Sequence, residues 1–332
     1  MTDVKLPLVK VKGLKKHYPI KKGIIPHTVG KVYAVDGIDL EIYEGETLGL
    51  VGESGCGKST IGRTLAALEK PTEGDIIYDG YVLNNSTVKE MKGLRTQIQM
   101  VFQDPYSSLN PRKRIFDILS APRLYHKLST SENIRKDVEY YLDIVGLPGN
   151  TMDKYPHEFS GGQRQRIGIA RALSLKPRLI ICDEPVSALD VSVQAQVLNL
   201  LKDLQKELGL TLLFIGHGLD AVSYVSNRIA VMYLGKIVEI GAAEELFRNP
   251  IHPYTKALCS AVPVADPALK DREKIILQGE VPLNKEKISG CPFYPRCLYA
   301  IDSCKIKVPD LLPLNRDQSH LVACPVTINH EN

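Results

Sequence analysis

Gly52-Glu53-Ser54-Gly55-Cys56-Gly57-Lys58-Ser59-Thr60 is the stretch on which the fold turns. An apolar run, Thr47–Val51, precedes it and reads as a buried strand. A helical pattern, Thr60–Glu69, follows and is stopped by Pro71. The stretch matches G-x-x-x-x-G-K-[ST] at every defined position, in the strand–loop–helix setting that the motif requires. Glycines let successive backbone N–H groups turn inward on phosphate oxygens, and the helix that follows presents a positive dipole end. Lys58 is placed to bridge β- and γ-phosphates, and Ser59 to ligate Mg²⁺, with Ser54, Gly55, Gly57 and Thr60 completing the cradle. Cys56 reads as a small filler rather than a reactive thiol. The expected class is α/β: a P-loop NTPase with a RecA-like parallel core.

A second buried strand, Arg178-Leu179-Ile180-Ile181-Cys182-Asp183, runs into Glu184-Pro185. Its unbroken apolar run is that of a parallel strand covered on both faces. Asp183 at its end would meet Mg²⁺ directly or through water. Glu184, one residue on, is placed to take a proton from an attacking water.

The chain carries another helix opening suited to phosphate. Ser160-Gly161-Gly162-Gln163-Arg164-Gln165-Arg166 reads as a serine cap and two glycines ahead of the apolar face Ile167–Leu175, which Pro177 ends. One nucleotide does not easily sit on two helix ends of the same molecule. A dimer resolves this, with each nucleotide held between one subunit's loop and the other's Ser160 helix.

Composition sets the remaining bounds. The 332 residues are 44% hydrophobic and support a sizeable core, while a formal charge of +4 is too mild to argue for nucleic acid. Met1 to Ile20 alternates Lys with apolar residues and builds no signal-peptide core. Runs such as Leu179–Cys182 and Ile229–Leu234 are far short of a membrane span. A soluble protein is expected, working at a membrane only through a partner.

Together these elements resemble the ATP-binding-cassette (ABC) family over nearly the whole chain. The resemblance implies ATP with Mg²⁺ as ligands and ATP hydrolysis as the activity. It implies that Gln103, in Val101-Phe102-Gln103-Asp104-Pro105, is a Mg²⁺ and water ligand that senses a membrane partner. Ser160, Gly161, Gly162 and Gln163 correspond to the signature motif, with Phe159 where Leu is commoner. Asp190, in Ser187-Ala188-Leu189-Asp190, corresponds to the loop at the dimer seam. His217 corresponds to the switch histidine, and Tyr18 to the aromatic that stacks on adenine. Around His217 the family group usually reads Ser-His-Asp, whereas here it is Gly216-His217-Gly218. The missing carboxylate removes a helix cap, so His217 is expected to be less firmly aimed.

Within the family the likeness is to ATPase subunits of oligopeptide and dipeptide importers, with nickel importers sharing much of the pattern. It is carried by the insertion Ile20–Lys31, by Gln103–Arg112, by Tyr155-Pro156-His157-Glu158-Phe159, and by Gly290-Cys291-Pro292-Phe293-Tyr294-Pro295-Arg296-Cys297. The implied partners are transmembrane permease subunits, a second ATPase subunit (homologous or identical) and, indirectly, an extracytoplasmic substrate-binding protein, with no nucleic acid. The implied location is peripheral, on the cytoplasmic face of the cell membrane. A non-transport ABC protein is the rival reading. Such proteins usually carry two cassettes or a long coiled coil, and this chain has neither.

Four of the seven cysteines crowd the C-terminal end as Cys291-x5-Cys297-x6-Cys304-x19-Cys324. The spacing matches neither the tight knuckles of structural zinc nor the common ferredoxin runs, and by itself leaves open either one Cys₄ site or unrelated free thiols. The resemblance implies a [4Fe–4S] cluster of structural role on these four, with zinc as the alternative. The expected organisation is a cassette over residues 1–260 and a C-terminal extension over 261–332. Val4–Ile20, Val32–Ile42 and Asp75–Val82 suit an antiparallel β-subdomain, and about 104–175 a helical subdomain. Ser192–Leu208 suits an amphipathic helix closed by Gly209.

Overall fold

The computed structural model describes residues 6–23, 27–85, 88–262, 275–277, 284, 288–314 and 319–328. The chain divides into two compact units. The first comprises Met1–Asn84 with Gly216–Asn332, and the second Asn85–Ile215.

The first unit opens on a long hairpin, β1 (Pro7–Lys22) and β2 (His27–Tyr43), paired antiparallel from Pro7↔Tyr43 to Lys22↔His27. The insertion singled out in the sequence is therefore the outer end of this hairpin, with Ile20 opposite Gly30 and Lys21 opposite Thr28; residues 24–26 lie outside the described residues. The central strand β3 (Thr47–Val51) follows, buried at every position, and leads through the glycine loop into α1 (Lys58–Leu65). The helix stops four residues before the expected Glu69. Ala67 adopts a left-handed conformation (φ 53°), and the Leu68 and Ala67 amides turn back to Arg63 O and Thr64 O, closing the helix end without a glycine. β4 (Glu73–Tyr78) and β5 (Tyr81–Val82) complete a four-stranded antiparallel sheet in the order β2-β1-β4-β5.

The second unit holds a parallel sheet flanked by helices. After α2 (Val88–Gln97) come β6 (Ile98–Val101), the single turn α3 (Pro105–Ser108), α4 (Ile115–Tyr125), α5 (Ile134–Asp143) and α6 (Gly161–Leu173). β7 (Leu179–Asp183), α7 (Val191–Leu208) and β8 (Thr211–Gly216) follow. β6, β7 and β8 run parallel, with Ile98 opposite Leu179 and Leu179 opposite Thr211. The expected parallel strands and the helices between 104 and 175 are thus present. Arg123 of α4, nearly fully buried, ties the helical part together. Its Nε and Nη2 donate to Asp137 Oδ2 of α5 at 3.2 and 2.8 Å, and Nη2 also reaches Leu128 O at 3.1 Å. A buried guanidinium is tolerable only with its donors satisfied, which this fork achieves. α7 ends where Gly209 takes the left-handed conformation (φ 62°), as Gly209 in the sequence suggests.

The chain then returns to the first unit through α8 (Leu219–Val225), β9 (Arg228–Tyr233) and β10 (Lys236–Ala242). β9 lies parallel to β3, with Leu48 opposite Arg228. It turns into β10 at Leu234 and Gly235, both at positive φ. α9 (Ala243–Arg248) and α10 (Pro253–Ala261) lead to the C-terminal segment, where β11 (Leu312–Pro313) and β12 (Leu321–Val322) add to the edge at β10. The rest of the expected extension over 261–332 falls partly outside the described residues.

The pin for that edge is buried. Glu239 of β10 is wholly enclosed and accepts from the Ile251 and His252 amides, each at 2.9 Å, and stands 2.8 Å from His320 Nε2. Its carboxylate raises the His320 pKa. His252, by contrast, is buried with its Nδ1 accepting from the Tyr254 amide, and burial pushes its pKa down to about 4.

Candidate nucleotide site

The glycine loop is shaped by close approach rather than by flexibility. A Cβ on Gly52 would lie 2.1 Å from Met232 O, and one on Gly57 2.0 Å from Ala34 O. Both residues have positive φ, at 153° and 110°. No side chain fits at either place. Lys58 is buried, and its Nζ donates to Gly52 O at 2.7 Å and Glu53 O at 3.0 Å, so the loop curls around its own ammonium. Gly57 is the N-cap of α1 and supplies no side-chain acceptor to the N–H groups of the first turn. Those donors and the ammonium fit a polyphosphate. Cys56 is buried and desolvation raises its pKa, in keeping with a filler role.

Glu53, unremarked in the sequence, is the most heavily fixed residue of the loop. Its amide donates to Tyr254 Oη at 2.8 Å. Its two carboxylate oxygens accept from Arg296, Oε2 from Nη1 at 2.7 Å and Oε1 from Nη2 at 3.2 Å. Tyr18, on β1, donates its hydroxyl to Glu69 and has the Lys16 ammonium 5.1 Å from its ring centroid. His217 follows β8 on the exposed side. Gly218, the N-cap of α8, offers no side-chain cap, as expected, but it has ordinary extended angles (φ −86°, ψ 118°). A Cβ there would stand 2.6 Å from Asp220 Oδ1, so the first-turn carboxylate of Asp220 occupies the space that a residue-218 side chain would enter.

In the second unit the structure brings two predicted residues into contact. Gln103 Nε2 donates to Glu184 Oε2 at 2.8 Å. Glu184 is held in the left-handed region (φ 45°) with its amide donating to Ile215 O at 3.0 Å, a conformation that costs a non-glycine residue about 1–2 kcal/mol. Strain of this kind is tolerated where the surroundings fix a side chain's direction. Asp183, one residue earlier, is buried at the strand end.

The Ser160 helix is capped as the sequence predicts. Ser160 Oγ accepts from the Gln163 amide at 3.3 Å, and Gln163 Oε1 accepts from the Ser160 amide at 3.0 Å, a reciprocal box. Gly162 is needed for packing, because a Cβ there would meet Val193 Cγ1 of α7 at 2.3 Å. Arg164 lies 4.1 Å from the Tyr106 ring centroid, a link from this helix to α3 that spacing alone does not disclose. Asp190 caps no amide through its side chain, and the next residue, Val191, is 81% exposed.

The [4Fe–4S] cluster expected on Cys291, Cys297, Cys304 and Cys324, with zinc as its alternative, is corrected. Among the described residues no three His, Cys, Asp or Glu side chains form a group able to hold a metal ion. The four thiols lie near enough to influence one another electrostatically, but they are free and at least half-buried. Burial raises the Cys291 pKa to about 11 and raises that of Cys297. Cys324 packs with Ile251, Leu314 and Val322 as a small apolar residue.

Comparison with known proteins fits this geometry. The family model for ABC transporters matches residues 35–187, and that for the C-terminal region of oligopeptide/dipeptide transporters matches residues 238–304. The chain is 51% identical to the oligopeptide transport ATP-binding protein AppF of Bacillus subtilis (strain 168) over 319 residues, 96% of each protein. It is 50% identical to the oligopeptide transport ATP-binding protein OppF of Salmonella typhimurium (strain LT2) over 324 residues, 96% of this chain and 95% of that one. Among solved structures it resembles the dimeric post-hydrolysis state of the ATP-binding cassette MJ0796 bound to ADP and Pi. The TM-score is 0.63 at 30% identity, covering 71% of this chain and 98% of the other. The chain belongs to the ABC transporter family, in the group of oligopeptide and dipeptide transport ATP-binding proteins.

Proposed function

We propose that this chain is the ATP-hydrolysing subunit that energises a membrane importer of oligopeptides or dipeptides. The observation that carries the reading is the near-50% identity, end to end, with relatives named for oligopeptide transport, extending into the C-terminal match at residues 238–304. Among the described residues no helix is long and apolar enough to cross a membrane, so transport requires permease partners. The subunit would sit peripherally on the cytoplasmic face, with an extracytoplasmic binding protein delivering peptide from the other side.

In this reading the cassette occupies residues 1–260, and 261–332 is its extension. Lys58 and the backbone of Ser54, Gly55, Cys56, Gly57, Ser59 and Thr60 hold the phosphates, and Tyr18 stacks on adenine. Ser59, Gln103 and Asp183 would hold Mg²⁺, which when bound neutralises charge on the phosphates. Glu184, oriented by Gln103, accepts the proton of the attacking water, and His217 steadies the γ-phosphate side. Ser160, Gly161, Gly162 and Gln163 serve the nucleotide of a second ATPase subunit, with Asp190 at the seam. Closure is driven by higher affinity of the closed dimer for ATP than for ADP.

Phosphate release by the purified chain with Mg²⁺–ATP tests the enzymatic half. Release that vanishes in Lys58→Ala and Glu184→Gln is expected. Release that persists in both would overturn the assignment of the site.

A further inference from the structure

Glu53 lies inside the phosphate loop, yet all of its polar groups are committed within the first unit. The amide donates to Tyr254 of α10, and the carbonyl accepts from Lys58 Nζ and the Cys56 amide. The carboxylate takes both arms of the Arg296 fork. Arg296 belongs to the short helical turn Tyr294–Arg296 of the C-terminal segment, 243 residues away in sequence. The pair is shielded, the Arg296 side chain being 8% exposed and that of Glu53 25%. Glu53 holds the Arg296 pKa above its ordinary value.

The segment is anchored where it meets the loop. Phe293 is fully enclosed and packs edge-on against Tyr233 (5.3 Å between centroids) and tilted against Tyr254 (5.5 Å). Tyr233 and Tyr254 in turn pack against each other at 4.7 Å. The aromatic cluster that seats the C-terminal segment therefore contains the tyrosine that holds the loop's amide.

A carboxylate in a polyphosphate-binding loop is an electrostatic liability, because it repels the ligand the loop must hold. We infer that Arg296 is a positioning residue for the phosphate loop: its bidentate pairing holds the Glu53 carboxylate and offsets its charge beside the ligand, so that nucleotide affinity depends on Arg296 as long as residue 53 carries a carboxylate. The inference rests on the nucleotide reading above and adds a residue to it. Arg suits the task because its planar fork meets both carboxylate oxygens at once, which a lysine cannot do.

The test is calorimetric titration of the full chain with the non-hydrolysable analogue AMP-PNP and Mg²⁺, for wild type, Lys58→Ala, Arg296→Gln, Glu53→Gln and the Arg296→Gln/Glu53→Gln double variant. Arg296→Gln should weaken binding about tenfold, since it leaves a charged group unpaired beside the ligand. In hydrolysis the loss should appear in KM, with kcat largely kept. Glu53→Gln alone should bind as well as wild type or better, and adding it to Arg296→Gln should restore affinity. A merely structural bolt would not be rescued by removing its second half. Arg296→Gln with unchanged affinity, or a double variant no better than Arg296→Gln, overturns the inference. If Arg296→Gln does not fold, Glu53→Gln decides alone, because weaker binding there contradicts a neutralising role. Failure of the nucleotide reading looks different: wild type itself would not bind, or Lys58→Ala would bind equally well.

Discussion

Gln103 Nε2 and Glu184 Oε2 are hydrogen-bonded at 2.8 Å, joining two residues 81 positions apart, one just beyond the end of β6 and the other just beyond the end of β7. β6 and β7 are parallel neighbours, with Val101 opposite Cys182, so the residues that follow each strand emerge side by side. The amide of Gln103 thus sets the direction of one carboxylate oxygen of Glu184, while the left-handed backbone at Glu184 sets the other constraint.

The two residues should therefore fail differently. Glu184→Gln removes the proposed proton acceptor and should lower phosphate release at least a hundredfold, in line with loss of a general base. Gln103→Ala leaves the acceptor but frees its orientation, and a loss of about tenfold is expected. Rates measured at saturating Mg²⁺–ATP distinguish them. Equal losses would mean that Gln103 does more than orient Glu184.

Gly57→Ala should abolish nucleotide binding and lower stability by about 3 kcal/mol or more. Its Cβ would lie 2.0 Å from a backbone oxygen, at a φ that alanine resists. Gly55→Ala makes the control for φ alone, since φ is 79° there and nothing lies within 4 Å of its Cβ. Thermal unfolding of the pair checks this, and similar midpoints for both would remove the steric argument.

Much of this site is legible in the sequence because it is local. The loop, its strand and its helix are contiguous, and Ser160 with Gln163 makes a capping box within four residues. Gly209 closes α7 by a conformation that few other residues adopt readily. The end of α1 is not legible, because Ala67 supplies the left-handed turn that sequence reading assigns to glycine. Nor is the Glu53–Arg296 pair, whose partners are brought together by the β3–β9 pairing and an aromatic cluster rather than by spacing. The four cysteines mislead for a related reason: family likeness implied a centre that their spacing left open, whereas among the described residues no three metal-ligating side chains group to hold a metal ion.

Stability should fall on both sides of a near-neutral optimum. His252 has its folded pKa lowered to about 4, so the unfolded state binds the extra proton. The stability this histidine contributes is present above pH 6.5 and is lost as pH falls from there toward 4, by on the order of 3 kcal/mol. His320 has the opposite sign. Glu239 and Glu245 raise its pKa, so its contribution is full below 6.5 and is lost as pH rises through the raised value. Melting midpoints across pH 4–9 should show both limbs, and His320→Gln should flatten the alkaline one. An unchanged alkaline limb in that variant would exclude the His320–Glu239 pair as its source.

Gly218→Asp places a carboxylate at the N-cap of α8, next to His217. The backbone at 218 accepts any side chain, and the Asp220 carboxylate can swing away from the new Cβ, so the variant should fold normally. An Asp cap in place of Gly at this position is worth only roughly a few tenths of a kcal/mol. Phosphate release should rise a few-fold if a firmer helix start aims His217 better. No change in rate, alongside a complete loss in His217→Ala, would show that His217 is already well aimed.

The most direct measurement of the central claim is uptake of a labelled oligopeptide into proteoliposomes containing this chain, its permease subunits and a second ATPase subunit, with the binding protein on the outside and Mg²⁺–ATP within. The account predicts accumulation that requires internal ATP and is abolished when this chain carries Glu184→Gln. Peptide accumulation that continues undiminished with Glu184→Gln would contradict it.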